Sequence, residues 1–317
     1  MQKKIIFLLI VSMLFSFSGC GKKVESDDGD ALPQKVTSKS KKNESKAKTG
    51  WTSDLEVIYK PTDYYDAAEF SETCKVNGKK YKVDITLEDK TEYSEYNGVT
   101  FSINNASYKL SDTYFFGLSY VAMAELYGED IALFAGFSSE GDWNDLAVLR
   151  YDGTDLKPLV AGVNYNGLDD LLLSFTPAID IELADYSDFK MWVWTPSRAM
   201  WKIKKTYTIR DDRIITHQED RYEVNIKDFL SPHSSYEDYS KWYGTSKEEY
   251  DKLSEGYVMC HDEYAGMEKG TYFTVLYDDG RDNIYIKVDS GEEFWTEIPE
   301  YPDGEQRIAP NLFYLAG

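Results

Sequence analysis

Cysteine is nearly missing from this chain: 317 residues contain three, and histidine is equally scarce. So few cysteines exclude a disulfide-framework domain. The three histidines (His217, His233 and His261) leave little from which to build a zinc centre or a partnered general base. No Gly-x-x-x-x-Gly-Lys-Ser/Thr, Gly-x-Gly-x-x-Gly, Gly-x-Ser-x-Gly, Cys-x-x-Cys or His-Glu-x-x-His pattern occurs, which removes the commonest signatures of phosphate, dinucleotide, acyl-transfer, redox and metalloprotease chemistry. Basic residues are also short, with 35 Lys and Arg against 56 Asp and Glu. Neutralising phosphates needs a basic footprint, so nucleic acid is excluded as the expected partner. Only one long apolar run exists, the thirteen residues 5–17 (IIFLLIVSMLFSF). It matches the apolar region of a secretory signal and falls short of the roughly 20 residues that span a bilayer.

What surrounds that run is more specific. Lys3 and Lys4 precede it, and it ends in Phe17-Ser18-Gly19-Cys20. This order resembles the bacterial lipoprotein signal, in which a leucine-like residue and two small residues lead to a cysteine; here Phe17 stands where Leu is usual. The resemblance implies a diacylglycerol thioether on Cys20, cleavage before it, and a chain anchored to the cell membrane with its body facing outward. Two or more acyl chains hold stably where one does not. Residues 21–50 contain no aromatic residue and carry eight Lys against five acidic groups. Such a segment has nothing to bury against the entropy of ordering, and as a coil would span roughly 30 Å. It reads as a tether, either lying beside anionic headgroups or serving as a plain soluble spacer.

Residues 51–317 hold 51 acidic and 25 basic residues, a net −26 that keeps an aromatic-rich surface soluble. Alternation of Val, Ile, Thr, Tyr and Trp predicts strands through most of this length. Asn77-Gly78 in TCKVNGKKYKVDITL is the strongest short hairpin signal, GVTFSIN reads as the next strand, and Asp152-Gly153 and Asp211-Asp212 mark further tips. LSYVAMAELY reads either as a short amphipathic helix around Tyr120–Tyr127 or as a buried strand. One segment, 236–253, reads as helix, with Thr245 and Glu248 at capping-box spacing and Gly256 as the stop. The expected fold is mainly β: a propeller-like or sandwich-like antiparallel main domain, a helical connector and a small barrel-like module. The expected layout is a signal peptide (1–19), lipidated Cys and tether (20–50), main domain (51–235), connector (236–256) and C-terminal module (257–317).

Two stretches carry further resemblances. Residues 130–159 run strand, acidic loop, Asp145-Leu146, strand, Asp152-Gly153, strand, and resemble one unit of the propeller-type repeats of secreted bacterial proteins. No second copy is evident, and the loop lacks the alternating aspartates of the calcium-binding versions, so no metal site is carried over. The end of the chain, with Gly270, the Asp278-Asp279-Gly280 turn, the 284–288 strand and the Ser290-Gly291 turn, resembles surface lipoproteins of anaerobic bacteria. It is loosely similar to small envelope barrels of the Src-homology-three type. These resemblances imply location and architecture rather than chemistry.

Candidate chemistry is thin, and no cofactor is implied. With Cys20 lipidated, Cys74 and Cys260 are either a disulfide or two buried thiols. Asp180-Ile181-Glu182 would place two carboxyls on one strand face, as some glycosidases do. His233 reads as a turn residue, and His261-Asp262-Glu263 would point to alternate faces of a strand. Met191-Trp192-Val193-Trp194 puts two tryptophans on one strand face with Trp201 nearby; these rings either fill the core or stack sugar rings. The leading expectation is a non-catalytic, membrane-anchored lipoprotein that binds envelope glycans or other envelope components. The alternatives are an extracytoplasmic hydrolase using paired carboxylates, and an envelope assembly or sensory factor that binds protein.

Overall fold

In this computed structural model the described residues are 50–61, 67–139, 144–163, 169–176, 179–194, 201–226, 235–243, 246–260 and 263–298. All belong to the second of two units, Ala47–Gly317; the first is Met1–Lys46. Cys20, His233, His261, Asp262 and residues 300–317 lie outside the described set.

Strand β1 (Glu56–Tyr59) is followed by β2 (Glu69–Val76), β3 (Lys79–Lys90), β4 (Tyr96–Ile103) and β5 (Ala106–Phe115), the last four forming an antiparallel sheet in chain order. The β2–β3 turn is Asn77-Gly78, with φ of 48° and 79°, which is why these two residue types sit there. Strands β6 (Gly117–Leu126), β7 (Asp130–Ser138), β8 (Asn144–Tyr151) and β9 (Leu156–Pro158) come next. After the short pair β10 (Gly162–Val163) and β11 (Asp169–Asp170), β12 (Leu172–Thr176) completes a second sheet in the order β1-β6-β7-β8-β12, with β9 beside β8.

The third sheet holds nine strands. Its first part is β13 (Glu182–Leu183), β14 (Asp188–Trp194), β15 (Lys202–Arg210), β16 (Arg213–Thr216) and β17 (Tyr222–Asn225). Helices α1 (Tyr236–Tyr243) and α2 (Lys247–Ser254) intervene, then β18 (Val258–Met259), β19 (Tyr272–Asp278), β20 (Asn283–Val288) and β21 (Glu293–Glu297). Strand β17 pairs with β19, so the C-terminal strands continue the sheet begun by β13–β15, in the order β13-β14-β15-β17-β19-β20-β21. Among the described residues the three large sheets are open paths, and none of them closes into a barrel.

The sheets stack in three layers with the β6–β8 sheet in the middle. On one side Leu118, Val121, Met123, Leu133 and Phe137 pack with Val83, Ile85, Val99 and Phe101 of the four-stranded sheet. On the other, Tyr120, Ala122, Phe134, Leu146 and Val148 pack with Phe189, Met191, Ile203 and Tyr207 of the nine-stranded sheet. Because both faces of β6, β7 and β8 are buried, alternation disappears and the strands read as unbroken apolar runs. Residues 120–126 are therefore buried strand, not helix, and Tyr127 (φ 60°) stands in the turn that follows. The outer sheets keep a clean period of two, as in β3, where Tyr81, Val83, Ile85 and Leu87 face in. Gly136 on β7 leaves room for its neighbours, since a Cβ there would meet Ile179 and come within 2.9 Å of the Tyr120 Cβ.

The helical segment is two helices instead of one. Ser246 caps α2, accepting from the Glu249 N–H at 3.1 Å, and Gly256 (φ 91°) ends it; Thr245, the expected start of a capping box, lies outside the described residues. Leu253 of α2 enters the same core as Phe273 and Ile286. Among the described residues no helix is long and apolar enough to cross a membrane.

The first described residues stitch the layers together. The Trp51 N–H bonds the Tyr186 carbonyl at 2.7 Å, its indole donates to the Asp188 carbonyl at 2.6 Å, and the Thr52 N–H reaches the Glu125 carbonyl at 2.9 Å. The Glu125 side chain, 2% exposed, accepts from Asn77 Nδ2 (2.6 Å), Thr52 Oγ1 (3.0 Å) and Lys79 Nζ (3.2 Å). Burial opposes its charge, but the bonds from Asn77, Lys79 and Thr52 outweigh that and hold the carboxyl below its ordinary value.

Candidate functional site

In Met191-Trp192-Val193-Trp194 the alternation of β14 sends Met191 and Val193 into the core and leaves Trp192 and Trp194 half-buried on the outer face. Their cross-strand partners on β15 are lysines: Trp192 lies opposite Lys204 and Trp194 opposite Lys202. The Lys204 ammonium sits 5.7 Å from the Trp192 ring centroid, and that of Lys202 sits 5.4 Å from Trp194. Lys204 also pairs with Glu182 on β13. That hydrogen bond lowers the Glu182 carboxyl below its usual range.

Trp201 goes the other way. It is 1% exposed, and its indole donates to Asp278 Oδ2 at 2.9 Å. Asp278 is itself fully buried and accepts the Gly280 N–H at 2.6 Å through Oδ1. This tryptophan is a core residue that satisfies a buried carboxyl, so the three candidate rings divide into two on the surface and one in the core.

The outer face continues with aromatics whose grouping sequence reasoning missed. Ile203 faces Val224, which sets Lys204 beside Glu223 one step along; Glu223 then faces Tyr277, Tyr277 faces Tyr285, and Tyr285 faces Trp295. Tyr277 and Trp295 are each 38% exposed. The Tyr277 and Tyr285 centroids are 6.1 Å apart, and those of Tyr285 and Trp295 5.3 Å. Arg221 lies over two of these rings, 6.0 Å from Tyr277 and 5.6 Å from Trp295. The available signal was the alternation in NIYIKV and EFWTE, but joining it to Trp192 requires the β17–β19 pairing, which no local pattern announces.

The other candidates separate. Cys74 and Cys260 are both buried and free, so the disulfide reading is corrected to that of two unpaired thiols. Cys74 lies in the core against the four-stranded sheet and Cys260 in the core against the nine-stranded sheet. Burial pushes each thiol up to about 11. Asp180 is paired with Lys60 at 3.7 Å and Glu182 with Lys204, both carboxylates being mostly exposed. A glycosidase acid needs a raised value, and Glu182 moves in the opposite direction. His217 Nε2 bonds Thr208 Oγ1, which in turn bonds Asp188 Oδ1. Among the described residues no group of three or more His, Cys, Asp or Glu could hold a metal ion. Protein-family models, curated proteins and solved structures yield no match to the chain.

Proposed function

We propose that this chain is an extracytoplasmic lipoprotein of binding type, anchored through Cys20, that holds glycan chains of the cell envelope on the outer face of its nine-stranded sheet. The observation that carries the binding reading is the outward placement of Trp192 and Trp194, while Met191 and Val193 of the same strand fill the core. These half-buried indoles offer flat apolar faces to the C–H faces of sugar rings, and Lys190, Glu182 and Asn225 around them offer donors and acceptors to hydroxyls. The anchoring reading rests on the Phe17-Ser18-Gly19-Cys20 resemblance and on the aromatic-free, lysine-rich residues 21–50.

Both halves are testable. A fatty-acid label should enter the wild-type chain and be absent from Cys20→Ser; equal labelling removes the anchor. The full chain in detergent micelles, applied to a glycan array, should be retained by a subset of glycans, and the double variant Trp192→Ala/Trp194→Ala should lose that retention. Retention that survives the double variant, or no retained glycan at all, refutes the platform.

A further inference from the structure

We infer that the glycan surface is built for one uncharged, linear polysaccharide lying across the strands, along the row Trp192, Lys204, Glu223, Tyr277, Tyr285 and Trp295. This rests on the binding reading above and names its ligand class. The cross-strand pairs place these residues on the outward face of six successive strands, β14, β15, β17, β19, β20 and β21. At roughly 4.8 Å between neighbouring strands the row is about 24 Å long. A mono- or disaccharide would touch one end only, so a site with rings at both ends suits a chain of several linked sugars. The middle of the row supplies a donor, Lys204, and an acceptor, Glu223, where hydroxyls rather than ring faces would be met.

Charge selects within the glycans. The body carries 51 acidic against 25 basic residues, a field that repels polyanions. The row itself is balanced: Lys204 is paired with Glu182, Lys287 beside it is paired with Glu293 at 3.1 Å, and the Arg221 guanidinium over the Tyr277 and Trp295 rings is matched in sign by the exposed Glu223 carboxylate of the row. A neutral chain is the electrostatic complement of such a strip. Shape selects again, because the ordinary strand-to-strand twist turns outward side chains through roughly 100° over five steps. A ligand following the row has to wind, which favours a soluble, flexible chain over a flat insoluble surface.

The test uses the full chain in micelles, titrated with uncharged gluco-, manno- and xylo-oligosaccharides from disaccharide to hexasaccharide, and with polygalacturonate as the polyanion. In one neutral series affinity should rise at least about tenfold from disaccharide to hexasaccharide, with little salt dependence. Trp192→Ala and Trp295→Ala should each weaken hexasaccharide binding by about tenfold, while disaccharide binding falls in only one of them. The Trp→Phe variants should retain part of the affinity, which separates lost stacking from misfolding. Equal affinity at every length would overturn the extended row and leave the glycan platform standing. Tighter, salt-sensitive binding of polygalacturonate would overturn the uncharged class. A concentration-dependent dimer abolished by Trp295→Ala would assign the face to a second copy instead. Binding of no sugar would overturn the platform together with this inference.

Discussion

The two flanking sheets pack on opposite faces of the same central layer, yet they show solvent different chemistry. Across the four-stranded sheet one outward row reads Glu69, Thr86, Thr100, Lys109 and the next Ser71, Asp84, Ser102, Ser107. Across the nine-stranded sheet the comparable row reads Trp192, Lys204, Glu223, Tyr277, Tyr285, Trp295. Folding asks the same of both sheets, an apolar inner face and a wettable outer one, and these two rows of the four-stranded sheet meet that demand with Ser, Thr, Lys and carboxylates alone, its exposed Tyr114 standing apart near the end of β5. Cross-strand aromatic pairs stabilise a sheet by only about 0.2–1 kcal/mol each. Partly exposed tryptophans at both ends of a row therefore need a reason other than folding, and a ligand is one.

The inner faces should behave alike. Phe101 packs 6.0 Å from Phe137 on one side of the central sheet, and Phe189 packs 5.4 Å from Phe134 on the other. Both residues are fully buried. Phe101→Ala and Phe189→Ala should each lower unfolding free energy by about 3–5 kcal/mol, measured by urea denaturation. A loss near zero for either would show that its layer is not part of one cooperative core.

A smaller effect tests the joint between layers. Glu125 joins the central sheet to the β2–β3 turn through Asn77 and Lys79, and to the first described residues through Thr52. Glu125→Gln should cost about 1–2 kcal/mol at neutral pH. The native carboxyl is held below its ordinary value of 4.5, so its stabilisation is present above that pH and lost as pH falls through the folded value. The gap between wild type and Glu125→Gln should narrow on acidification below about 4.5. A gap constant with pH would mean that shape, not charge, sets the cost.

What could be read from the chain divides along local and non-local lines. The Asn77-Gly78, Asp152-Gly153, Asp211-Asp212 and Ser290-Gly291 turns were readable because each needs a residue tolerant of unusual backbone or able to bond its own loop, and the strands between them follow from alternation. Alternation also paired Trp192 with Trp194. It could not say which face of β14 looks inward, because Met191, Val193 and both indoles are all apolar. The 120–126 stretch was ambiguous for the opposite reason: burial on two sides erases the period that separates strand from helix. The states of Cys74 and Cys260 depended on an intervening sheet, and Trp295 reaches the row only through β17–β19, a pairing between residues about fifty-five positions apart. These are facts of tertiary register, carried by no local pattern.

The smallest expected effect is the one that most sharpens the contrast between the outer faces. If the aromatic row exists for a ligand, removing it should hardly disturb the fold. Tyr285→Ser and Trp192→Ser should each cost less than about 1 kcal/mol, the scale of a cross-strand pair, as should Thr100→Ala on the polar face. The two faces would then be equal in stability and unequal in glycan retention, which Thr100→Ala should leave intact. Trp192 matters most here, because its inward neighbours Met191 and Val193 already supply the core contacts of β14. A loss of 3 kcal/mol or more for Trp192→Ser, as for a core phenylalanine, would place that ring among the residues that hold the sheet together and leave its exposure without a role in binding.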